Sequence, residues 1–73
     1  MKIFVTGGCG FIGSNFIINQ INDNNTIINL DKITYAGNLD NLTSIENNSK
    51  YIFINGDICD YELVINSIEK YKP

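Results

Sequence analysis

Three short apolar runs divide the chain and predict its β-strands. They lie at residues 2–6, 26–30 and 51–54 and are rich in β-branched and aromatic side chains. Nearly continuous apolar runs of this length are typical of strands that are buried on both faces, as in parallel sheets. Turn-forming residues follow each run, namely glycines after the first, Asp31 after the second and Asn55-Gly56-Asp57 after the third.

The stretch after each run predicts a helix. From Phe11 to Ile21, the apolar residues fall on one helical face, and they are Ile12, Phe16, Ile17 and Ile21, with Ile18 beside them. A short helix is predicted inside the polar stretch after the second run, around Leu39, Leu42 and Ile45. Asp60 is suited to be the N-cap of a final helix that ends at Lys72-Pro73. The apolar stripe of this last helix is predicted at Tyr61, Val64, Ile65 and Ile68.

The alternation of strands and helices predicts an α/β fold with a parallel sheet and right-handed crossovers. In a doubly wound, Rossmann-type fold, three such strands form the 3-2-1 half of the sheet, and the first strand lies at its edge. Natural edge strands carry charge or proline, but Ile3-Phe4-Val5 carries neither. We therefore expect residues 1–73 to be the N-terminal half of a longer Rossmann-type domain, in which a further strand pairs with the first.

The composition is that of a globular protein and argues against several functions. The 73 residues are 44% hydrophobic and 18% charged, which does not fit a disordered chain. The net charge is −3, with no His or Arg, so the basic face of a nucleic-acid binder and the commonest metal ligand are both missing. No signal peptide or bilayer-spanning run is recognisable, so we expect a cytoplasmic protein without a membrane partner. Cys9 and Cys59 are expected to be mostly buried, reduced thiols.

A glycine-rich segment joins the first predicted strand to the first predicted helix. It fits G-x-G-x-x-G through Gly8, Gly10 and Gly13, and it fits G-x-x-G-x-x-G through Gly7, Gly10 and Gly13. Such glycines make the tight turn, let a pyrophosphate approach the backbone and let the helix pack closely on the sheet. The N–H groups of Phe11 and Ile12, at the helix N-terminus, are best placed to donate to phosphates. The segment predicts a dinucleotide-binding turn, and a P-loop is disfavoured because no Gly-Lys-[Ser/Thr] follows.

Acidic residues after the second and third predicted strands are candidate ligands of an adenosine group. Asp31 follows Gly13 by 18 positions, close to the spacing of about 20 expected for an acid that binds the ribose hydroxyls. A carboxylate there repels a 2′-phosphate and favours NAD over NADP, although Lys32 could either meet such a phosphate or lie in solvent. Asp57 lies at the same predicted sheet edge, where it could accept from the adenine amino group or simply begin the next helix.

Two segments resemble the extended short-chain dehydrogenases that act on nucleotide sugars. Residues 6–16, TGGCGFIGSNF, resemble the start of these enzymes. The run NLDKITYAGNL at 29–39, followed by GDICD at 56–60, is more selective and resembles the dTDP-glucose 4,6-dehydratase family. The resemblance covers essentially all 73 residues but only the N-terminal, NAD-binding part of such an enzyme. It implies that the rest of the Rossmann domain and the substrate domain lie outside this sequence.

The resemblance implies a set of NAD contacts, each at a residue that this chain contains. Phe11 and Ile12 would contact the pyrophosphate, while Asp57 and Ile58 would contact the adenine. The adenosine ribose would lie near Asp31, Lys32, Ile33 and Thr34, with Gly37 nearby. Cys9 departs from the alanine that many relatives carry, but a thiol is small enough to fit, with oxidation as the one foreseeable consequence.

The reaction implied by the resemblance converts dTDP-glucose to dTDP-4-keto-6-deoxyglucose and water. NAD oxidises C4 of the sugar, water is eliminated across C5–C6, and the hydride returns to C6. The family's Tyr-x-x-x-Lys pair is missing from these residues, so no catalytic residue is assigned and the 73 residues alone are predicted to be inactive. The full-length relatives imply a homodimer. Two alternatives stay open: a related UDP-sugar epimerase or dehydratase, and a non-catalytic dinucleotide-binding module.

Overall fold

The chain forms a three-stranded parallel sheet with helices on both faces, in a computed structural model that describes residues 1–32 and 39–73. The elements in chain order are β1 (Lys2–Thr6), α1 (Phe11–Asn22), β2 (Thr26–Asp31), a 3₁₀ helix (Leu39–Ile45), β3 (Tyr51–Asn55) and α2 (Tyr61–Tyr71). The predicted α/β fold and the predicted order of elements are therefore confirmed. None of the helices within the described ranges is long and apolar enough to cross a membrane.

β2 is the central strand of the sheet, whose order is β1-β2-β3. Ile3 of β1 lies opposite Ile27, and Ile52 of β3 lies opposite Ile28. This arrangement confirms the 3-2-1 order for these three strands, with β1 at an edge of the described sheet. The central position explains the continuous apolar run of β2, because a middle strand of a parallel sheet is covered on both faces.

α1 and the 3₁₀ helix cover one face of the sheet, and α2 lies on the other. The core of the first face consists of Cys9, Ile17, Ile21, Ile27, Leu42 and Ile45. Leu30 lies three positions after Ile27 on β2, so its side chain faces the opposite side of the sheet. On that side, the side chains of Leu30 and of Leu63 from α2 both lie next to Gly56. The carboxyl ends of all three strands thus meet at one edge, which is where ligands of open α/β sheets bind.

The buried face of α1 differs in part from the predicted one. Ile17 and Ile21 are buried as expected, but Ile12 is 84% exposed and Phe16 is 44% exposed. Ser14 is buried instead. The rotation of α1 about its axis is set at its N-terminal end, where Gly13 lies close to the backbone of Gly7 and Gly8. This contact selects the face that packs against the sheet. It cannot be read from the hydrophobic pattern.

α2 begins as predicted but packs through a different face. The side chain of Asp60 accepts a hydrogen bond from the Leu63 N–H at 3.1 Å, which confirms the N-cap. Of the predicted apolar stripe, Tyr61 is 77% exposed and both Ile65 and Ile68 are more than one-third exposed, whereas Val64 is half-buried. Leu63 and the buried Ser67 face the sheet instead. Leu63 occupies the space that a side chain at Gly56 would take, and this contact fixes the rotation of α2.

Candidate functional site

The glycine turn between β1 and α1 is held against β2 by its backbone. Gly7 adopts a left-handed conformation (φ 69°) and donates its N–H to the Leu30 carbonyl at 3.0 Å. Gly10 donates to the Gly7 carbonyl at 3.3 Å and then forms the N-cap of α1. The positive φ at Gly7 is a conformation that residues with a side chain rarely adopt. The chain therefore needs a glycine at this position to turn from the strand into the helix.

The structure separates glycines that the fold needs from one that it does not. A Cβ at Gly13 would lie 2.8 Å from the Gly7 carbonyl oxygen and 2.9 Å from the Gly8 Cα, both of them backbone atoms. A Cβ at Gly8 would collide with the side chains of Ile17 and Asn29. At Gly10 the nearest atom, the Gly7 carbonyl oxygen, would lie 3.6 Å away, which is an ordinary contact. Because the protein leaves this space open at Gly10, a ligand can approach the backbone there.

The N-terminus of α1 is open towards the same edge. Gly10 has no side chain that could cap the helix, and the first turn contains no acidic residue. The first N–H groups of a helix have no partner within it and carry a partial positive charge. The backbone at Phe11 and Ile12 can therefore donate hydrogen bonds to an anion such as a pyrophosphate.

Asp31 connects the glycine turn with the end of β2. Its Oδ2 accepts a hydrogen bond from the Cys9 N–H at 2.8 Å, and the residue is half-buried. A carboxylate held in this way cannot rotate freely towards solvent. The predicted ribose ligand is thus also a structural partner of the turn, and it links the turn to the end of β2.

A cleft of about 260 Å³ lies at the carboxyl edge of the sheet. It is lined by Thr6, Gly7, Leu30, Asp31, Lys32, Gly56, Asp57 and Ile58. Five of the predicted residues thus line one cleft, namely Gly7, Asp31, Lys32, Asp57 and Ile58. The predicted residues at the start of α1 do not line it, and these are Gly10, Phe11, Ile12 and Gly13. The predicted residues Ile33, Thr34 and Gly37 lie outside the described residues. Within residues 1–32 and 39–73, no three His, Cys, Asp or Glu side chains come together in a way that could hold a metal ion.

Asp57 is held in place and kept ionised by two neighbours. Its Oδ1 accepts from the Cys59 N–H at 2.9 Å, and its Oδ2 lies 3.3 Å from the Lys32 Nζ. The Cys59 N–H and, second, Lys32 lower the pKa of the Asp57 carboxyl below its usual range. Asp60, not Asp57, caps α2. Asp57 is thus an ionised hydrogen-bond acceptor at neutral pH, and Lys32 is paired with it at the mouth of the cleft.

Two asparagines that the sequence pattern did not single out hold the glycine turn. Asn29 accepts from the Gly8 N–H at 3.0 Å, and Asn41 donates its Nδ2–H to the Cys9 carbonyl at 2.8 Å. The one available signal was the position of Asn29, a polar residue inside the apolar run of β2. Asn41 lies in the 3₁₀ helix, 32 positions after Cys9, so no local sequence pattern indicates this contact.

The two cysteines differ in exposure, which corrects the expectation that both are mostly buried. Cys9 is fully buried and Cys59 is exposed, and neither is in a disulfide. Burial, together with the nearby Asp31 carboxylate, raises the pKa of the Cys9 thiol to about 11. Because Cys9 is fully buried and the thiolate is the reactive form, we expect Cys9 to resist the oxidation foreseen for a thiol in place of alanine.

Alkylation of the native protein with iodoacetamide near neutral pH should therefore modify Cys59 and spare Cys9. Cys9 should react only after denaturation, when burial no longer suppresses its ionisation. Mass spectrometry of tryptic peptides distinguishes the two sites. The Cys59→Ala variant should show no labelling in the native state, and rapid labelling of that variant would contradict this account of Cys9.

The comparisons with known proteins agree with this geometry. A sequence profile of the GDP-mannose 4,6 dehydratase family matches residues 4–73. The dTDP-glucose 4,6-dehydratase of Escherichia coli is 51% identical over 74 residues, which cover 100% of this chain and 20% of that enzyme. The chain thus spans about a fifth of the length of this curated relative.

Two solved structures show the same arrangement of strands and helices. The dTDP-glucose 4,6-dehydratase of Bacillus anthracis, in complex with NAD, matches with a TM-score of 0.94 and 43% identity, over 99% of this chain and 24% of that one. The UDP-glucose 4-epimerase of Thermotoga maritima, with UDP-glucose, matches with a TM-score of 0.85 and 32% identity, over 100% of this chain and 22% of that one. Since the family profile covers nearly the whole sequence and the fold agrees, the chain belongs to the GDP-mannose 4,6 dehydratase family.

Proposed function

We propose that this chain is the NAD-binding segment of a dTDP-glucose 4,6-dehydratase. The observation that carries the proposal is the cleft at the carboxyl edge of the sheet, where Gly7 of the glycine turn lies with Asp31 and Asp57. The uncapped N-terminus of α1 follows directly from the same turn. The relatives in Escherichia coli and Bacillus anthracis carry this enzyme name, and the second of them was crystallised with NAD. We further propose that residues 1–73 act as the N-terminal part of a longer Rossmann domain, in an enzyme whose substrate domain lies in other residues.

The residues of this chain fit a dinucleotide that lies across the strand ends. The open space at Gly10 admits the pyrophosphate, and the N–H groups of Phe11 and Ile12 donate to it. The Asp31 carboxylate accepts from the adenosine ribose hydroxyls, and Asp57 with Ile58 lines the adenine position. The chemistry supplied by bound NAD is the removal of a hydride from the sugar C4 and its return to C6. The task of this segment is to hold and orient the cofactor.

The ion pair at the mouth of the cleft supports NAD over NADP. A 2′-phosphate needs a cation that is available to meet it, and the Lys32 Nζ lies 3.3 Å from the Asp57 carboxylate. The Asp31 carboxylate would repel the phosphate in addition. The Asp31 carboxylate and the pairing of Lys32 with Asp57 therefore both disfavour the extra anion, with the charge of Asp31 as the larger effect.

A chimera tests the proposal in the context of a complete enzyme. The matching N-terminal segment of the Escherichia coli dTDP-glucose 4,6-dehydratase is replaced by these 73 residues. We expect the purified chimera to hold as much NAD as the parent enzyme and to convert dTDP-glucose to the 4-keto-6-deoxy sugar. NAD content is measured after denaturation, and product formation is measured by the absorbance of the keto sugar in alkali.

A second chimera separates the proposal from its nearest alternative. It carries the corresponding segment of the Thermotoga maritima UDP-glucose 4-epimerase, which shares the fold with this chain. We expect the epimerase segment to give lower dehydratase activity than this chain does. If the two chimeras had equal dehydratase activity, the segment could be assigned only to general dinucleotide binding. If the chimera with these 73 residues folded but contained no bound NAD, the proposal would be overturned.

A further inference from the structure

Asn29 is a fully buried polar side chain in the middle of the central strand. It is 0% exposed and lies between the buried residues Ile28 and Leu30. An amide in such a place costs free energy unless its polar atoms are hydrogen-bonded, and a leucine of similar size would bury more apolar surface. The position of Asn29 therefore calls for an explanation beyond packing.

Three contacts fix the orientation of the Asn29 amide. The Gly8 N–H can only donate, so the atom that faces it at 3.0 Å is the Asn29 Oδ1. The Nδ2 then points to the Tyr51 hydroxyl at 3.1 Å and the Cys9 Sγ at 3.5 Å. No buried side-chain nitrogen or oxygen within the described residues lacks a hydrogen-bond partner. Asn29 thus connects β3, through Tyr51, with two successive residues of the glycine turn.

Gly8 and Asn29 fit each other sterically. A Cβ at Gly8 would collide with the Asn29 amide and with the end of the Ile17 side chain. The absence of a side chain at Gly8 is therefore what allows Asn29 to reach the backbone N–H. The side chain of Ile17 from α1 also packs against Gly8. The contact between Gly8 and Asn29 therefore also sets the position of the start of α1 relative to β2.

Three side chains form hydrogen bonds with the backbone of Gly8 and Cys9. Asn29 holds the Gly8 N–H, Asp31 holds the Cys9 N–H at 2.8 Å, and Asn41 holds the Cys9 carbonyl at 2.8 Å. Asn29 differs from the other two because it lies beneath the turn, in the core, and is buried away from the cleft. It can therefore act on a ligand only through the shape of the turn.

We propose that Asn29, oriented by Tyr51, is a positioning residue that holds the glycine turn in its pyrophosphate-binding conformation. The inference rests on the proposed NAD-binding function and assigns to it a residue outside the cleft. Without the amide, the Gly8 N–H is buried and unpaired, so the turn shifts towards other conformations. The apparent dissociation constant of a ligand rises as the fraction of binding-competent protein falls.

Ligands with and without a pyrophosphate test this role in the chimera described above. In the Asn29→Leu variant, we expect the Kd values for NAD and ADP to rise about tenfold or more. The Kd for adenosine should rise clearly less than that for ADP, because Asp31 and Asp57 follow β2 and β3, whose pairing in the sheet does not depend on the turn. Tyr51→Phe keeps Asn29 and removes only the hydroxyl, and it should raise the Kd for NAD and ADP about threefold. Calorimetry and competition with NAD give these constants.

Ile28→Ala is the matched control, since Ile28 is the next buried residue on β2 and points to the opposite face. It should lower the Tm while leaving the ratio of ADP to adenosine affinity unchanged. Equal losses of ADP and adenosine affinity in Asn29→Leu, as for a merely destabilised protein, would overturn the proposal. If that variant does not fold, an unchanged NAD affinity in Tyr51→Phe overturns it instead. An unmutated chimera without NAD would overturn the proposed function itself.

Discussion

Replacing Gly13 by alanine is expected to destabilise the protein by about 2 kcal/mol and to abolish detectable NAD binding. The added Cβ would lie 2.8 Å from the Gly7 carbonyl oxygen and 2.9 Å from the Gly8 Cα. Both are backbone atoms of the turn and cannot rotate away as the end of a side chain can. Alanine gains up to about 1 kcal/mol of helix propensity over glycine, which offsets only part of an overpacking cost of about 1–3 kcal/mol.

Gly10→Ala is the matched control for this prediction. Gly10 has φ −71° and ψ 170°, which any residue can adopt, and a Cβ there would have no close neighbour. The Tm should therefore change little, while NAD affinity should fall about tenfold or more because the methyl group occupies the space open to the pyrophosphate. Thermal unfolding and calorimetric titration of the two chimeras measure both effects. A Gly13→Ala variant as stable as Gly10→Ala, or one that still binds NAD, would contradict the close packing of α1 on the turn.

Replacing Asp31 by alanine is expected to lower NAD affinity about a hundredfold. The change removes the charged acceptor proposed for the ribose hydroxyls, and it also leaves the Cys9 N–H without the partner that it has at 2.8 Å. NADP affinity should fall much less, because the repulsion between the carboxylate and a 2′-phosphate disappears at the same time. The ratio of the two Kd values, measured by calorimetry, is therefore the quantity to compare.

Asp31→Asn separates the two tasks of this side chain. Asparagine keeps an oxygen that can accept from the Cys9 N–H but lacks the charge. We expect its NAD affinity to lie between those of the parent and Asp31→Ala, with the fold unaffected. An Asp31→Ala protein whose preference for NAD over NADP equals that of the parent would show that Asp31 does not select the cofactor.

Local pattern was sufficient to predict the elements and the turn. The apolar runs of β1, β2 and β3 have the length and continuity of buried parallel strands, and all three are observed. The glycine turn was recognisable because its requirements are local: a left-handed residue at Gly7 and an open backbone at Gly10 are consequences of side chains that are absent. The Asp60 N-cap is likewise a contact over three residues.

Helix rotation was not predictable in the same way. The apolar stripes proposed for α1 and α2 both included residues that are exposed, notably Ile12 and Tyr61. In each helix a close contact sets the rotation, Gly13 against the turn and Leu63 over Gly56. Hydrophobic periodicity cannot choose between adjacent faces when both contain apolar residues. The contacts that do choose involve residues that only the fold brings together.

The sequence by itself determined the α/β class, the order of elements, the glycine turn between β1 and α1 and the acid at the end of β2. Each of these depends on residue types at short, fixed spacings. Only the tertiary structure showed that Asn29 lies beneath the turn, that Asp31 holds Cys9 as well as facing the cleft, and that Lys32 is paired with Asp57. These contacts join residues about 20 or more positions apart, and their partners are decided by the register of the sheet and the packing of the helices on it.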